Sequence, residues 1–263
     1  HMTCRPIQRF FFYKERELVN LSKEIHGKTY RPRPKRPFIV FEPKQRKIFE
    51  SHFRDRVVHH AICFLLNPRF ERRSLPKSYA CRKGYGNLKA LDQLRKAIRK
   101  MEDRGENPWV LKIDIKKYFD SIPHQKLFNL IRRDCNDPLT MWMVNRVIDS
   151  YHATPERGLP IGNLTSQVFA NLYLNELDWL VVQHCGFKNL FRFMDDLVIL
   201  DTSKDRLEDL LNKIQDYCHS ELGLTVHPNK IRLVPARKSF EFLGFKITGT
   251  RRTIKPTNVA RIK

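Results

Sequence analysis

Two adjacent aspartates interrupt an apolar segment in the C-terminal half of the chain. Asp195 and Asp196 separate the largely apolar residues 190–193 from the apolar residues 197–200. Two short apolar runs divided by a polar pair are typical of a β-hairpin that carries the polar residues at its turn. Neighbouring carboxylates raise each other's pKa unless a cation offsets their charge. The segment therefore predicts a hairpin with a cation site at its tip, although Asp is also common in ordinary turns.

A third acid lies late in an earlier predicted strand. Residues 109–115 alternate with period two, so Lys112 and Asp114 share one face and the apolar residues share the other. Carboxylate oxygens are the ligands that Mg²⁺ prefers. Two such ions about 3.5–4 Å apart can activate an attacking hydroxyl and stabilise the leaving oxygen in phosphoryl transfer. Asp114 and the 195–196 pair form a candidate two-metal site if the fold brings them together.

The charge of the chain points to a polyanionic partner. Its 263 residues include 50 Lys and Arg against 28 Asp and Glu, a formal net charge of +22, with 41% hydrophobic residues. A folded and strongly basic chain most often binds nucleic acid. No run of about 18 apolar residues occurs, so no transmembrane helix and no membrane partner are expected. Six scattered cysteines favour a reducing compartment, and we expect a cytoplasmic protein.

Hydrophobic periodicity indicates a mixture of helices and strands. Helices are predicted over residues 14–26, 54–66, 88–101, 125–133, 140–151, 169–181 and 205–221, with Pro68 ending the second. Strands are predicted over residues 38–41, 109–115, 191–200 as a hairpin, 231–234 and 240–247. This order predicts an α+β fold in which an antiparallel sheet is backed by helices.

Four segments resemble, in order, the sequence boxes of reverse transcriptases. Residues 113–120 resemble the first catalytic box, residues 158–167 the substrate-positioning box, residues 193–196 the Tyr/Phe-x-Asp-Asp box and residues 242–245 the primer grip. Four boxes in order are a specific signal, whereas any one alone is weak. The resemblance implies a right-hand polymerase with a fingers–palm architecture and a thumb that is short or truncated.

The resemblance also implies a division into domains. Fingers are expected in residues 3–108, the first palm strand in 109–120, a fingers insert in 121–157, the remaining palm in 158–247 and the start of a thumb in 248–263.

The second box is similar to one group of reverse transcriptases, those of diversity-generating retroelements. Most reverse transcriptases carry Gln-Gly-x-x-x-Ser-Pro there, whereas this chain has Ile161 in place of the Gln and Gln167 in place of the Pro. The similarity implies cDNA synthesis with errors concentrated at template adenines, mutagenic retrohoming and a basic helical accessory protein as partner. A Gln can hydrogen-bond and hold a base pair in position, and Ile cannot. A loss of about 1.4 kcal/mol of discrimination is a tenfold higher error rate. Ordinary packing beside Pro160 is the alternative role for Ile161.

Roles for the acids and a lysine follow from the same resemblance. Asp114, Asp195 and Asp196 are expected to hold two Mg²⁺ ions, which Mn²⁺ can replace, with the Ile115 carbonyl completing one coordination sphere. Lys230 is expected to donate a proton to the leaving pyrophosphate. The alternative for Lys230 is a surface lysine in a turn.

Two further sets of residues are expected to contact substrates. The incoming dNTP is assigned to Arg82, Lys83, Phe119, Ile161, Gly162 and Gln167. The template RNA and the DNA or RNA primer are assigned to Arg54, Arg56, Phe242, Leu243 and Gly244. Cations in a glycine-rich loop can grip a triphosphate, and the Phe119 ring would clash with a ribose 2′-hydroxyl. Solvated basic surfaces and a core aromatic are the respective alternatives.

Three other functions remain open from the sequence. The first is a group II intron or retron reverse transcriptase, which has the same fold. The second is a non-catalytic RNA-binding scaffold, which the presence of all three acids disfavours. The third is a metal-dependent nuclease, which would usually need a His or Lys base near the acids, and the sequence shows no obvious one.

Overall fold

The computed structural model describes residues 5–41 and 45–254. Its helices are α1 Arg5–Phe12, α2 Lys14–His26, α3 Phe53–Arg73, α4 Asn87–Glu102, α5 Tyr118–Ser121, α6 His124–Asp134, α7 Pro138–Ile148, α8 Leu164–Trp179 and α9 Lys204–Ser220. Its strands are β1 Arg36–Val40, β2 Arg46–Glu50, β3 Trp109–Asp114, β4 Leu190–Phe193, β5 Asp196–Asp201, β6 Arg232–Pro235, β7 Phe240–Phe242, β8 Phe245–Thr248 and β9 Arg251–Ile254. Helices combined with antiparallel sheets confirm the predicted α+β class. In these ranges, no helix has the length and apolar character needed to cross a bilayer.

The chain folds into two compact units. The first unit comprises His1–Arg73 with Phe119–Ala170, and the second comprises Ser74–Tyr118 with Asn171–Lys263. These units are defined by contacts alone, and the predicted domain bounds stay predictions. Residues 74–108 belong with the central sheet because α4 packs on β4, and residues 158–170 belong with the first unit. The functional names fingers and palm stay predictions, and residues 255–263 of the expected thumb lie outside the described residues.

The second unit is built on a four-stranded antiparallel sheet in the order β4-β5-β3-β6. One face packs against α4 through a core that includes Leu94, Ile98, Val110, Phe191 and Val198, all buried. Helix α9 packs on β3 and β5. The period of two predicted for β3 and the apolar runs predicted for the β4–β5 hairpin thus bury apolar side chains against helices.

The segment 240–247 forms two strands, so the prediction of a single strand is wrong. Strands β7 and β8 pair antiparallel through a tight turn at Leu243 and Gly244, and β9 adds a third strand. Both turn residues have positive φ, 51° at Leu243 and 82° at Gly244. A two-residue hairpin turn needs this left-handed backbone to match the twist of its strands.

Helix α3 continues through Pro68, so the prediction that it ends there is also wrong. Proline removes its own backbone hydrogen bond to the carbonyl of Phe64, four residues earlier, and its ring crowds that carbonyl. The Phe64 side chain is 82% exposed, so this turn of the helix faces solvent. Leu66 and Phe70 are buried on either side of the proline and keep the helix packed against the rest of the first unit.

The regular elements of the first unit are helices apart from the antiparallel pair β1–β2. Helix α3 packs against α1, α6 and α7. The predicted helices over 14–26, 125–133 and 140–151 correspond to α2, α6 and α7. Helix α1 and strand β2 have no counterpart in the sequence-based prediction.

Candidate active site

Two of the three predicted catalytic acids face each other across neighbouring strands. In the antiparallel pair β3–β5, Asp114 lies directly opposite Asp196. Residues that are directly opposed in such a pair place their side chains on the same face of the sheet, with Cβ atoms about 4.5–5.5 Å apart. The two carboxylates are therefore neighbours, although Asp114 and Asp196 lie 82 positions apart in the sequence (196 − 114).

Asp195, the third acid, is hydrogen-bonded through its backbone carbonyl to the residue that follows Asp114. The Ile115 N–H donates to the Asp195 carbonyl over 3.3 Å. Ile115 also forms an isolated bridge with Val226. That bridge is closed by hydrogen bonds from Lys116 N–H to the Thr225 carbonyl and from His227 N–H to the Asp114 carbonyl. Neither of these bonds uses the Ile115 carbonyl, which is the oxygen predicted to bind a metal.

Each opposed carboxylate has a lysine as counter-ion. Lys230 Nζ lies 2.7 Å from Asp114 Oδ1, and Lys112 Nζ lies 3.2 Å from Asp196 Oδ1. The Lys230 side chain is 41% exposed and that of Lys112 only 15% exposed. The sequence showed no obvious lysine base near the acids, and the structure places both Lys112 and Lys230 beside them. A lysine two residues before an acid on a period-two strand shares its face, so Lys112 could have been found from the sequence.

The environment of Asp196 disfavours its charged form. Burial raises the pKa of the Asp196 carboxyl to about 6, Lys112 opposes this rise, and the charges of Asp114 and Asp195 add to it. Within the described part of the chain, Asp196 Oδ1 is buried without a hydrogen-bond partner. The 3.2 Å contact with Lys112 is therefore an ion pair that lacks hydrogen-bond alignment.

This donor set fits a hard divalent cation. A buried carboxylate oxygen without a hydrogen bond, an opposed carboxylate and a third acid next to them supply the oxygen ligands that Mg²⁺ takes. Among the described residues, no three His, Cys, Asp or Glu side chains enclose a metal position by themselves. Mg²⁺ typically binds one or two carboxylates and completes its shell with water and phosphate oxygens, so the arrangement fits a site that is shared with a phosphate substrate.

A buried ion pair supports the turn that carries the acids. The Arg192 guanidinium donates to both oxygens of Asp178, at 2.7 Å from Nε and 2.6 Å from Nη2, and also to Asn171 Oδ1. Arg192 is 1% exposed and Asp178 is fully buried. Burial raises the pKa of the Asp178 carboxyl, and Arg192 opposes that rise. Arg192 further donates to the carbonyl of Met194, whose φ of 53° is in the left-handed region. Sequence analysis missed this role, although a charge between two phenylalanines of an apolar strand is a usable signal.

The basic glycine loop lies in the same unit as the acids. Arg82 Nη1 donates to the carbonyls of Leu75 and Ser78 at 2.7 and 2.9 Å, and its guanidinium stacks over the Tyr85 ring. Lys83 is exposed. Arg82 therefore shapes the loop, and the role of both cations in holding a triphosphate stays a prediction.

The predicted substrate-positioning turn belongs to the first unit. The Ile161 carbonyl accepts a hydrogen bond from the Phe49 N–H over 2.8 Å. Gly162 has a φ of 116°, and a Cβ atom there would lie 2.7 Å from Ile48 Cγ2. The turn thus lies close against β2, and only glycine fits at position 162 without strain.

The other predicted nucleotide contacts in this unit flank that turn. The Phe119 carbonyl accepts from the Leu159 N–H over 2.8 Å, and the Phe119 side chain is half-buried. Gln167 is exposed in the first turn of α8. Their contacts with a nucleotide stay predictions.

The two arginines assigned to the template differ in their surroundings. Arg54 is 5% exposed and forms an ion pair with Glu24. Arg56 is half-buried, lies 3.8 Å from Glu50 and stacks over Phe53. Arg54 thus has an intramolecular partner that the sequence did not reveal, and the template contact of both residues stays a prediction.

The predicted primer grip is the β7–β8 turn described above. Phe242 is buried in the core of the second unit, whereas Leu243 and Gly244 are half-buried at the turn. A tight turn of this kind can present backbone groups to a nucleic-acid strand, and contact with the primer stays a prediction.

Comparisons with known proteins identify the family of this chain. The family described as "Reverse transcriptase (RNA-dependent DNA polymerase)" matches residues 35–247. Protein YkfC of Escherichia coli (strain K12) is 28% identical over 276 residues, which cover 88% of this chain and 71% of that protein. The group II intron-encoded protein LtrA of Lactococcus lactis subsp. cremoris is 25% identical over 181 residues, 65% of this chain and 29% of LtrA.

Solved structures support the fold alone. The apo telomerase of Candida tropicalis superposes with a TM-score of 0.67 at 11% identity, over 93% of this chain and 53% of that chain. The chain thus spans about half of that telomerase chain and under a third of LtrA. The family match covers most of the chain and includes Asp114, Asp195 and Asp196. The chain belongs to the reverse transcriptase family, the RNA-dependent DNA polymerases.

Proposed function

We propose that this chain copies a template RNA into cDNA by two-metal phosphoryl transfer. The observation that carries the proposal is the direct opposition of Asp114 and Asp196 on β3 and β5, with Asp195 adjacent. Asp114, Asp195, Asp196 and the Ile115 carbonyl would hold Mg²⁺ or Mn²⁺. The bound ions would activate the primer hydroxyl and offset the charge of the leaving pyrophosphate.

The two lysines would act at different stages. Lys112 is largely buried and stays beside Asp196 as a counter-ion. Lys230 is more exposed, and its long side chain can leave Asp114 when a cation binds there. Its ammonium would then be available to donate a proton to pyrophosphate, the role that its position predicts.

Primer extension tests this function. We expect the purified chain to extend a DNA primer on an RNA template with dNTPs and Mg²⁺, and to use ribonucleotides poorly if Phe119 excludes the 2′-hydroxyl. A lack of extension even with an accessory protein added would favour a non-catalytic RNA-binding scaffold. Degradation of the template without extension would favour a nuclease.

A finer proposal concerns fidelity. Ile161 and Gln167 in the second box support a polymerase of the diversity-generating type, with errors concentrated at template adenines and a basic helical accessory protein as partner. An Ile161→Gln variant restores a side chain that can hydrogen-bond near the base pair. We expect it to lower misincorporation opposite adenine by about tenfold. Unchanged misincorporation opposite adenine would remove Ile161 as the cause.

A second candidate is a group II intron type of reverse transcriptase. The similarity to LtrA and to the putative COX1/OXI3 intron 1 protein of Saccharomyces cerevisiae, each 25% identical, favours it. Sequencing the cDNA made on a template of mixed composition separates the two candidates. Errors clustered at adenines would support the diversity-generating type, and evenly distributed errors would support the intron type.

A further inference from the structure

Four buried polar side chains lie beside the turn that carries Ile161 and Gly162. We call Ser51, His59, Asn163 and Thr165 the histidine network. Their exposed fractions are 3%, 4%, 3% and 1%, respectively. Buried polar groups are costly unless they are hydrogen-bonded, so a cluster of four needs a structural reason.

The hydrogen bonds of the histidine network form one chain from Thr165 through His59 and Ser51 to Asn163. His59 Nδ1 lies 2.7 Å from Thr165 Oγ1, and His59 Nε2 lies 3.4 Å from Ser51 Oγ. Ser51 donates its hydroxyl hydrogen to Asn163 Oδ1 over 2.8 Å. Ser51 must therefore accept from His59, so Nε2 carries the ring hydrogen and Nδ1 accepts from the Thr165 hydroxyl. This assignment needs a neutral imidazole.

The surroundings keep His59 neutral. Burial lowers the pKa of His59 to about 4, and the positive charge of Lys35 adds to this lowering. In the described part of the chain, Asn163 Nδ2 is a buried donor without a partner. Asn163 is thus held through its oxygen, by Ser51, at the cost of leaving its amide hydrogens unpaired.

The backbone of the turn is anchored on the same side. The Phe49 N–H donates to the Ile161 carbonyl, and Gly162 permits the close approach to Ile48. Ile161 and Gly162 thus lie against β2, Asn163 is hydrogen-bonded to Ser51, and Thr165 is hydrogen-bonded to His59 on α3. The Ile161 side chain cannot hydrogen-bond, so its placement depends on these anchors rather than on a polar contact of its own.

We propose that the histidine network positions the Ile161–Gly162 turn against β2 and α3 and thereby sets how selectively the turn accepts a nucleotide. The inference rests on the proposed function, because selectivity presupposes nucleotide incorporation. His59, Thr165 and Ser51 act through the turn, and they are positioning residues.

Hydrogen exchange tests the positioning directly and needs no activity. In the full chain, Thr165→Val keeps the shape of the side chain but removes the hydroxyl, whereas Thr165→Ser keeps the hydroxyl. We expect amide exchange in residues 158–167 to be about tenfold faster in Thr165→Val and close to wild type in Thr165→Ser. Ile62→Ala weakens the core on α3 itself, one turn from His59, and keeps all four polar side chains of the network, so this segment should stay protected. Equal exchange in the Val and Ser variants would overturn the positioning role.

Nucleotide selectivity tests the consequence. We expect Thr165→Val and His59→Leu to change the ratio of kcat/KM for correct and incorrect dNTPs about fivefold to tenfold, mainly through KM. His59→Gln, which keeps one donor and one acceptor, should restore the ratio. An unchanged ratio in variants whose exchange is faster would overturn the link to selectivity. Failure of the wild-type chain to extend a primer would contradict the proposed function itself, and the exchange experiment would still decide the positioning.

Discussion

Asp114 on β3 and Asp196 on β5 lie directly opposite each other in an antiparallel strand pair, and each has its own lysine counter-ion. Burial is the largest cause that raises the pKa of the Asp196 carboxyl, the charges of Asp114 and Asp195 add to the rise, and Lys112 offsets it only in part. The arrangement therefore stores an electrostatic cost that a divalent cation can relieve.

The first prediction is that Asp196→Asn stabilises the metal-free protein. The pKa of Asp196 is raised to about 6, so its ionised form costs stability that increases as the pH rises from about 4 to 6 and persists above. Removing the charge should add on the order of 1–3 kcal/mol to the free energy of unfolding at pH 8. Urea unfolding in EDTA at pH 8 and pH 4 measures this. A variant less stable than wild type at pH 8 would contradict it.

The second prediction concerns His59 and acid. The folded protein protonates His59 only near pH 4, whereas the unfolded chain does so near pH 6.5. The unfolded state then binds more protons in this window, so stability is lost as the pH falls from 6.5 to 4. Lys35, which contributes to this lowering, has a pKa of about 8 and stays charged throughout the window.

His59→Gln removes that titration. We expect the loss of unfolding free energy between pH 7.5 and pH 5 to be smaller in the variant by about 2 kcal/mol. Urea unfolding curves of both proteins at the two pH values give the difference, in which the other titrating groups cancel. Parallel losses in the two proteins would show that His59 is not the buried neutral group described above.

The third prediction concerns the pair Arg192 and Asp178. Removing one partner leaves a buried charge uncompensated, which costs about 3–5 kcal/mol. We expect Arg192→Met and Asp178→Asn each to destabilise by this order, and the double variant to lose clearly less than the sum. A double-mutant cycle by urea unfolding measures the coupling. Additive losses would mean that the two side chains act independently.

The fourth prediction concerns Gly162. Gly162→Ala places a Cβ atom 2.7 Å from Ile48 Cγ2 at a φ of 116°, whereas Gly86 has a similar φ of 125° with no described atom within 4 Å of such a Cβ. Gly86→Ala therefore controls for backbone strain. We expect Gly162→Ala to be the more destabilising by about 1–3 kcal/mol. Adding Ile48→Ala should recover much of the difference, and no recovery would argue against the close approach.

Local sequence patterns predict the helices and strands of this chain better than its long-range contacts. The period of two in β3, the two apolar runs of the β4–β5 hairpin and the helical period in α4 and α9 are predictable because each depends on neighbouring residues. The break within 240–247 was missed because Leu243 adopts a left-handed backbone that its residue type disfavours.

The site shows the same division. The three acids are readable from their strands, whereas Lys230 pairs with Asp114 across 116 residues, and Arg192 with a helix 14 residues away. Such pairings are decided by tertiary packing, which local patterns do not encode.

The fifth prediction is that Asp196 is needed for the chemistry itself. Asp201 is its matched control because it lies on the same strand, is largely buried and pairs with Arg206 at the far end of β5. The most direct test is the rate of dNTP incorporation on an RNA template by wild type, Asp196→Asn and Asp201→Asn at saturating Mg²⁺. We expect Asp196→Asn to lose at least about a hundredfold in rate and Asp201→Asn to stay within a few fold of wild type. Equal rates in the two variants would contradict the claim that the opposed aspartates carry the reaction.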